Sequence, residues 1–143
     1  MTPTPAQAHG YSGTPLAKKL SLKPGMRVIF EGMPESVLSN ITESIPDLTM
    51  LSRPETQVDA IHIFTTQAST LRKRLPKAQT QIEQNGFIWV SWPKKASKVP
   101  TDITEDTIRE VALPMGLVDV KVCAVDEVWS GLKLMIRKEL RTG

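Results

Sequence analysis

Residues 60–92 read AIHIFTTQASTLRKRLPKAQTQIEQNGFIWVSW and contain two apolar runs separated by an amphipathic segment. The runs at 60–64 and 87–92 are short and almost wholly apolar, which is typical of strands covered by helices on both faces. In the segment between them, apolar residues recur at spacings of three and four and predict a helix: Ala68, Leu71, Leu75, Ala78 and Ile82. This order predicts two parallel strands joined by a helix.

Two sequence features predict an interruption and an end of that helix. Pro76 lies inside it and predicts a kink or two abutting helices, because proline removes a backbone hydrogen bond. Asn85-Gly86 predicts its C-terminal end, since glycine and asparagine favour the left-handed conformation found there.

The same alternation continues toward the N-terminus. Thr14 is a candidate N-cap for a short helix over 15–21, and residues 26–30 form a short apolar run that predicts the first strand. A helix beginning at Pro34 and ending before Pro46 follows, and residues 48–51 predict the second strand.

Toward the C-terminus, Thr104 caps a helix whose first turn holds Glu105 and Asp106, where acidic residues interact favourably with the helix dipole. Apolar residues then alternate with polar ones over 118–124 and again over 132–136, separated by a predicted loop at 126–131. The pattern predicts an antiparallel hairpin.

Together these elements predict an α/β protein with a Rossmann-like, mainly parallel sheet, helices on both faces, and a C-terminal hairpin that supplies an antiparallel end strand. The chain has 143 residues, the size of one domain. We expect residues 1–10, with two Thr-Pro pairs and little to bury, to be a disordered tail, and residues 11–143 to form the single domain.

Composition excludes several classes of function. No apolar run approaches the roughly 20 residues of a membrane span, and no signal peptide is evident, so we expect a cytoplasmic protein without membrane contact. A net charge of +3 gives no strong nucleic-acid signal. Cys123 is the only cysteine and is expected to be a buried structural thiol, while His9 and His62 have no partners at metal-ligand spacing, so no metal is predicted.

The succession of strands and helices over about 14–138 resembles the sheet of S-adenosylmethionine-dependent methyltransferases. A closer resemblance rests on four segments, which together resemble the bacterial family catalogued as domain of unknown function 3052: GYSGTPLAKKL (10–20), LKPGMRV (22–28), WVSWPKKAS (89–97) and DVKVCAVDEVWSGLKLMIRKEL (119–140). That family carries no known reaction, so the resemblance implies a fold rather than an activity.

The methyltransferase resemblance implies a glycine-rich turn after the first strand and an acidic residue after the second. Here the first position holds only Gly32, followed by Pro34, which lacks a backbone N–H. Ser52-Arg53-Pro54 occupies the second position. We therefore predict no cofactor, and S-adenosylmethionine binding that is weak or absent.

Ligands of open α/β sheets bind beyond the carboxyl ends of the parallel strands. That rule selects six candidate ligand-binding residues: Gly32, Thr65, Thr66, Trp92, Lys94 and Lys95. The two lysines follow a rigid Trp-Pro and are predicted to hold negative charge, with the threonine hydroxyls as further donors. The alternative is a solvated lysine pair beside a helix cap.

Two aromatic residues are candidate partner contacts. Tyr11 lies in a small, polar segment, and Trp129 lies in the predicted hairpin loop, where an exposed indole would mark an interface. The alternative for Trp129 is packing onto the sheet edge. The nearby carboxylates Asp102, Glu105 and Asp106 are interpreted as helix caps rather than as general acids or bases.

Motifs for common catalytic classes are absent from the sequence: it has no GxxxxGK[ST], no HExxH and no GxSxG. The function predicted is therefore that of a non-catalytic Rossmann-like module that binds a small anionic ligand or a protein partner. The alternative is a degenerate S-adenosylmethionine-dependent methyltransferase or another small-molecule enzyme.

Overall fold

Six strands form one sheet in the order β2-β1-β3-β4-β6-β5. A computed structural model describes residues 15–53 and 55–141. The strands are β1 Arg27–Glu31, β2 Thr49–Met50, β3 Val58–Phe64, β4 Ile82–Pro93, β5 Leu117–Ala124 and β6 Trp129–Ile136. Strands β1 to β4 are parallel, and β6 runs antiparallel to both β4 and β5. The predicted mainly parallel sheet with a C-terminal hairpin is confirmed, although the antiparallel strand lies inside the sheet and β5 forms its edge.

Helices cover both faces, as predicted. Helices α1 (Leu16–Lys19) and α2 (Glu35–Ser44) lie on one face, and α3 (Ala68–Gln81) and α4 (Glu105–Ala112) lie on the other. Each pair encloses its own apolar core, which we call the α1/α2 core and the α3/α4 core. Three short 3-10 helices complete the described elements: Lys95–Ser97, Leu113–Met115 and Lys138–Leu140.

Helix α3 corrects the prediction at its end and excludes one of the two alternatives at Pro76. It is one helix through Pro76 rather than two abutting helices, and this proline lies on the solvent side while Leu75 and Ala78 are buried. It ends at Gln81, so the prediction that Asn85-Gly86 ends it was wrong. Gly86 lies inside β4, where an added Cβ would stand 2.9 Å from the Asp59 carbonyl oxygen, next to an irregularity in the β3–β4 register.

The hairpin turn is shorter than predicted. Residues 129–131, which we assigned to the loop, belong to β6, and the two strands are separated only by residues 125–128. Asp126 closes the turn, since its Oδ1 accepts the N–H groups of Val128 and Trp129 at 2.8 Å each.

The alternating valines of β5 do not mark its buried face. Val120 and Val122 are 48% and 47% exposed. The pairing of β5 with β6 shifts between Asp119 and Lys121, and such an irregularity changes which residues face the core. Exposure of this strand follows from its place at the sheet edge.

Some predictions fall on residues outside the described part of the chain: the disordered tail at 1–10, the partner contact at Tyr11 and the N-cap at Thr14. Of the helices that are described, none is long and apolar enough to cross a membrane.

Candidate functional site

A cavity of about 620 Å³ opens where β4 ends. Strand β4 forms one wall, the 3-10 helix and the loop that follows it form the second, and the starts of α4 and β6 close it. The residues that line it are Trp92, Pro93, Lys94, Lys95, Lys98, Val99, Pro100, Thr101, Ile103, Thr104, Glu105 and Ser130. Its volume lies within the roughly 300–1,000 Å³ typical of small-molecule sites.

Three lysines line this cavity from a constrained backbone. The Lys94 N–H donates to the Val128 carbonyl oxygen at 2.7 Å, which ties the lysine pair to the hairpin. Lys98 ends the 3-10 helix in the left-handed conformation, with φ of 62°. Within residues 15–53 and 55–141, no acidic side chain forms an ion pair with Lys94, Lys95 or Lys98. The cavity therefore brings together three ammonium groups that have no direct ion-pair partner in the described part of the chain.

The one carboxylate in the lining is already engaged. Glu105 Oε2 accepts a hydrogen bond from Arg109 at 2.6 Å, and Asp119 Oδ2 accepts another from the same guanidinium at 2.9 Å. This guanidinium holds the pKa of the Asp119 carboxyl below its usual range, chiefly through their hydrogen bond. Thr104 is also occupied, since its hydroxyl accepts from the Thr107 N–H in a capping box, as predicted for α4.

The two predicted threonines lie beside the cavity but outside its lining. The Thr65 hydroxyl accepts from the Gln67 N–H, and the Thr66 carbonyl oxygen accepts from the Thr101 hydroxyl at 2.8 Å. Thr101 itself lines the cavity, so Thr66 contacts one of the lining residues, while neither Thr65 nor Thr66 lines it.

Gly32 lies apart from the lysines, directly after β1. Its φ is 67°, and an added Cβ would stand 2.7 Å from the Phe64 carbonyl oxygen. The space that the glycine leaves is therefore taken up by the end of β3 rather than left open for a ligand. The side chain that precedes it is also engaged, because Arg74 Nε donates to both carboxylate oxygens of Glu31 at 2.8 and 2.7 Å.

The two predicted tryptophans differ in their surroundings. Trp92 lines the cavity but is only 8% exposed and packs in the α3/α4 core. Trp129 is half-buried, and its ring meets the Phe64 ring edge-on with centroids 5.1 Å apart. This packing is the alternative that the sequence left open, and a partner contact by Trp129 stays a prediction.

The buried polar groups of the sheet form a pair. His62 Nε2 and Ser91 Oγ lie 2.7 Å apart, and both residues are almost completely buried. Burial lowers the pKa of His62 to about 3, so its imidazole is neutral at physiological pH. The pair has no route to solvent, which indicates a structural role rather than catalysis.

Cys123 is half-buried against the α1/α2 core, and desolvation raises the pKa of its thiol. Among the residues that the structure describes, no group of three His, Cys, Asp or Glu side chains is arranged to hold a metal ion.

Comparison with known families finds a match over residues 17–138 to a family described as "Protein of unknown function (DUF3052)". The chain belongs to this family. The match confirms the resemblance inferred from residues 10–20, 22–28, 89–97 and 119–140. No curated protein sequence matches the chain.

Several solved structures similar to this DUF3052 member are described as methyltransferases. A SAM-dependent methyltransferase from Aquifex aeolicus matches with a TM-score of 0.62, 16% identity and 94% coverage of each chain. A putative type 11 methyltransferase from Sulfolobus solfataricus matches with a TM-score of 0.58 and 12% identity, and the match covers 90% of this chain and 93% of that one. A precorrin-6y C5,15-methyltransferase from Geobacter metallireducens matches with a TM-score of 0.60 and 9% identity, and the match covers 85% of this chain and 86% of that one. At these identities the likeness establishes the fold alone.

The residues at the positions that bind a cofactor in such folds do not fit S-adenosylmethionine. The Phe64 carbonyl oxygen occupies the position next to Gly32 that a side chain would fill. The carboxylate of the adjacent Glu31 accepts hydrogen bonds from Arg74. Beyond β2, where ribose hydroxyls need a carboxylate, the exposed residues Ser52 and Arg53 are found.

Sequence reasoning missed Lys98, Thr101 and Ser130. A local signal existed for Lys98, because it is the third lysine in the polar stretch 93–100. Ser130 had none, since it reaches the cavity through its antiparallel pairing with Trp92.

Proposed function

We propose that this protein is a non-catalytic module that binds a small anion at the carboxyl end of β4. The observation that carries the proposal is the set of three lysines, Lys94, Lys95 and Lys98, lining one cavity with no acidic partner among the described residues. Ammonium groups on long side chains converge readily on a phosphate or carboxylate.

The remaining lining supports binding rather than catalysis. The side chains that line the cavity include no histidine or cysteine, and Glu105 is held by Arg109. A general base must be within hydrogen-bond reach of the proton that it removes, and apart from the lysines the lining offers no histidine, cysteine or unpaired carboxylate for that role. The Ser130 hydroxyl adds a neutral donor for an anion.

The proposal is tested by titrating the full chain with inorganic phosphate in a calorimeter. Replacing both lysines (Lys94→Ala with Lys95→Ala) should weaken binding by about 1–3 kcal/mol, the scale of charged hydrogen bonds. Added sodium chloride should reproduce part of the loss through screening. The fold should survive, because neither lysine is buried or ion-paired among the described residues and such surface lysines contribute little to stability.

The control removes another cationic pair, exposed and outside the cavity, with Arg137→Ala and Lys138→Ala. It should change phosphate affinity less than twofold. Equal loss in both double variants, or unchanged affinity without Lys94 and Lys95, contradicts the proposal and leaves these lysines as ordinary surface charge.

The alternative function is that of a degenerate methyltransferase, and the likeness to structures described as methyltransferases favours it. The residues after β1 and β2 argue against it. Titration with S-adenosylmethionine separates the two, since we expect no saturable binding in the micromolar range. Micromolar binding with ordered ligand beside Gly32 would support the alternative.

A further inference from the structure

A second cavity, of about 370 Å³, lies at the carboxyl ends of β1 and β2 on the face covered by α3. It shares no lining residue with the lysine cavity at the end of β4. The residues that line it are Ile29, Phe30, Glu31, Leu51, Ser52, Arg53, Arg74, Lys77 and Gln81.

Two of its three cations have no acidic partner. Arg74 is occupied by Glu31, whose carboxylate it binds through Nε. Arg53 and Lys77 form no ion pair within residues 15–53 and 55–141. Arg53 lies in the loop after β2 and Lys77 lies on α3, so the two cations reach the cavity from different segments. An anion placed between them would meet opposite charge from both sides.

The other side chains of this cavity suit an organic group. Ile29, Phe30 and Leu51 supply an apolar surface. Gln81 lines the same cavity, and its Oε1 is the one buried side-chain oxygen or nitrogen without a hydrogen-bond partner among the described residues. A buried oxygen without a hydrogen-bond donor is energetically unfavourable. Rotation of the Gln81 amide toward a ligand N–H would give this oxygen a donor.

We propose that this cavity binds an organic phosphate with the chemistry of a nucleotide. Arg53 and Lys77 hold the phosphate, the flat ring packs on Ile29 and Leu51, and the Gln81 amide accepts a ring N–H. Inorganic phosphate would leave the apolar surface uncovered, and an uncharged nucleoside would leave both cations unpaired. S-adenosylmethionine carries a sulfonium and an ammonium against a single carboxylate, so its net charge is positive and the two cations favour it less than a phosphate.

The test titrates the full chain with adenosine 5′-monophosphate, adenosine and inorganic phosphate by calorimetry. The nucleotide should bind at least tenfold more tightly than adenosine or inorganic phosphate. Replacing the two flanking cations (Arg53→Gln with Lys77→Gln) should weaken nucleotide binding at least tenfold. The control is Arg72→Gln with Lys73→Gln, two exposed cations of α3 outside the cavity, and it should change affinity less than twofold.

The Lys94→Ala and Lys95→Ala variant distinguishes this site from the one in the proposed function, because it should leave nucleotide affinity unchanged. If that variant abolishes nucleotide binding while loss of Arg53 and Lys77 does not, the nucleotide occupies the lysine cavity and the present proposal is wrong. It is also wrong if millimolar nucleotide gives no saturable binding, or if adenosine binds as tightly as its monophosphate.

Discussion

Two glycines with positive φ separate the cost of backbone conformation from the cost of steric overlap. Gly25, with φ of 85°, has no atom within 4 Å of an added Cβ, whereas at Gly32 the Cβ would stand 2.7 Å from the Phe64 carbonyl oxygen. Gly25→Ala should cost about 1–2 kcal/mol, the conformational term alone. Gly32→Ala should cost roughly 2–4 kcal/mol, because overlap with the end of β3 adds to it.

Urea denaturation of both variants, followed by circular dichroism, measures the two free energies of unfolding. Equal losses would mean that β3 moves away from the new methyl group without cost. That outcome would contradict the closed packing of β1 against β3 after Gly32.

At the same scale, His62 makes stability depend on pH. Its folded pKa of about 3 lies below the ordinary value of 6.5, so between these values the unfolded chain binds a proton that the folded chain does not. The free energy of unfolding should therefore fall as pH decreases below 6.5. The part due to this residue is about 2 kcal/mol between pH 7 and pH 5.

The comparison with His62→Gln isolates that contribution, because the other titrating groups, His9 and the carboxylates included, are shared by both proteins. Denaturation curves at pH 7, 6 and 5 should show a smaller acid loss in the variant. Parallel pH profiles would mean that the His62 imidazole takes up its proton as readily in the folded protein as in the unfolded one.

At the scale of elements, the N-terminus of α3 is capped from a distant part of the chain. Asp102 Oδ1 accepts the Ala68 N–H at 2.7 Å, and the Asp102 N–H donates to the Thr66 carbonyl oxygen at 3.3 Å. The sequence identified Asp102 as a helix cap but associated it with α4. Its contacts show that it joins the loop before α4 to the start of α3.

Asp102→Ala should lower the free energy of unfolding by about 0.5–2 kcal/mol, the usual cost of losing an N-cap. Asp102→Asn should lower it less, because the amide oxygen still accepts from Ala68. Glu110→Ala is the control, since this exposed residue of α4 has no ion pair among the described residues, and we expect a change within about 0.5 kcal/mol. Chemical denaturation measures the free energy of unfolding of all three variants. If Asp102→Ala is as stable as the parent, Asp102 does not stabilise α3 as a cap.

At the scale of the whole molecule, two cores share one sheet. Trp89 lies in the α1/α2 core, where its Nε1 donates to the Leu20 carbonyl oxygen at 2.9 Å, and Trp92 lies in the α3/α4 core. Both belong to β4, which pairs with β3 and β6. The loss of either core would therefore expose the sheet that supports the other.

This arrangement predicts cooperative unfolding of both layers. Two variants that each retain one of these tryptophans, Trp92→Phe with Trp129→Phe and Trp89→Phe with Trp129→Phe, report the cores separately by fluorescence. Within each variant, the fluorescence and circular dichroism transitions in urea should coincide. Separate transitions would contradict the prediction that residues 11–143 form a single domain.

The candidate site was predictable only in part. Trp92, Lys94 and Lys95 are neighbours in sequence at the end of a recognisable strand, so their place in one cavity followed from the rule for parallel sheets. Thr65 and Thr66 follow the neighbouring strand, but neither lines the cavity, and the Thr66 carbonyl oxygen is bound by Thr101 and Asp102. No local pattern predicts that a later loop binds to the end of an earlier strand.

The sequence by itself determined the order and type of the elements, the parallel βαβ unit at 60–92 and the hairpin at the C-terminus. Hydrophobic period, proline and glycine act within a few residues, so their consequences are visible in a short window. Tertiary structure alone decided that β6 lies between β4 and β5, that Ser130 faces Trp92, and that Asp102 caps α3. Those outcomes depend on backbone hydrogen bonds and packing between segments far apart in the chain, and local preference does not encode them.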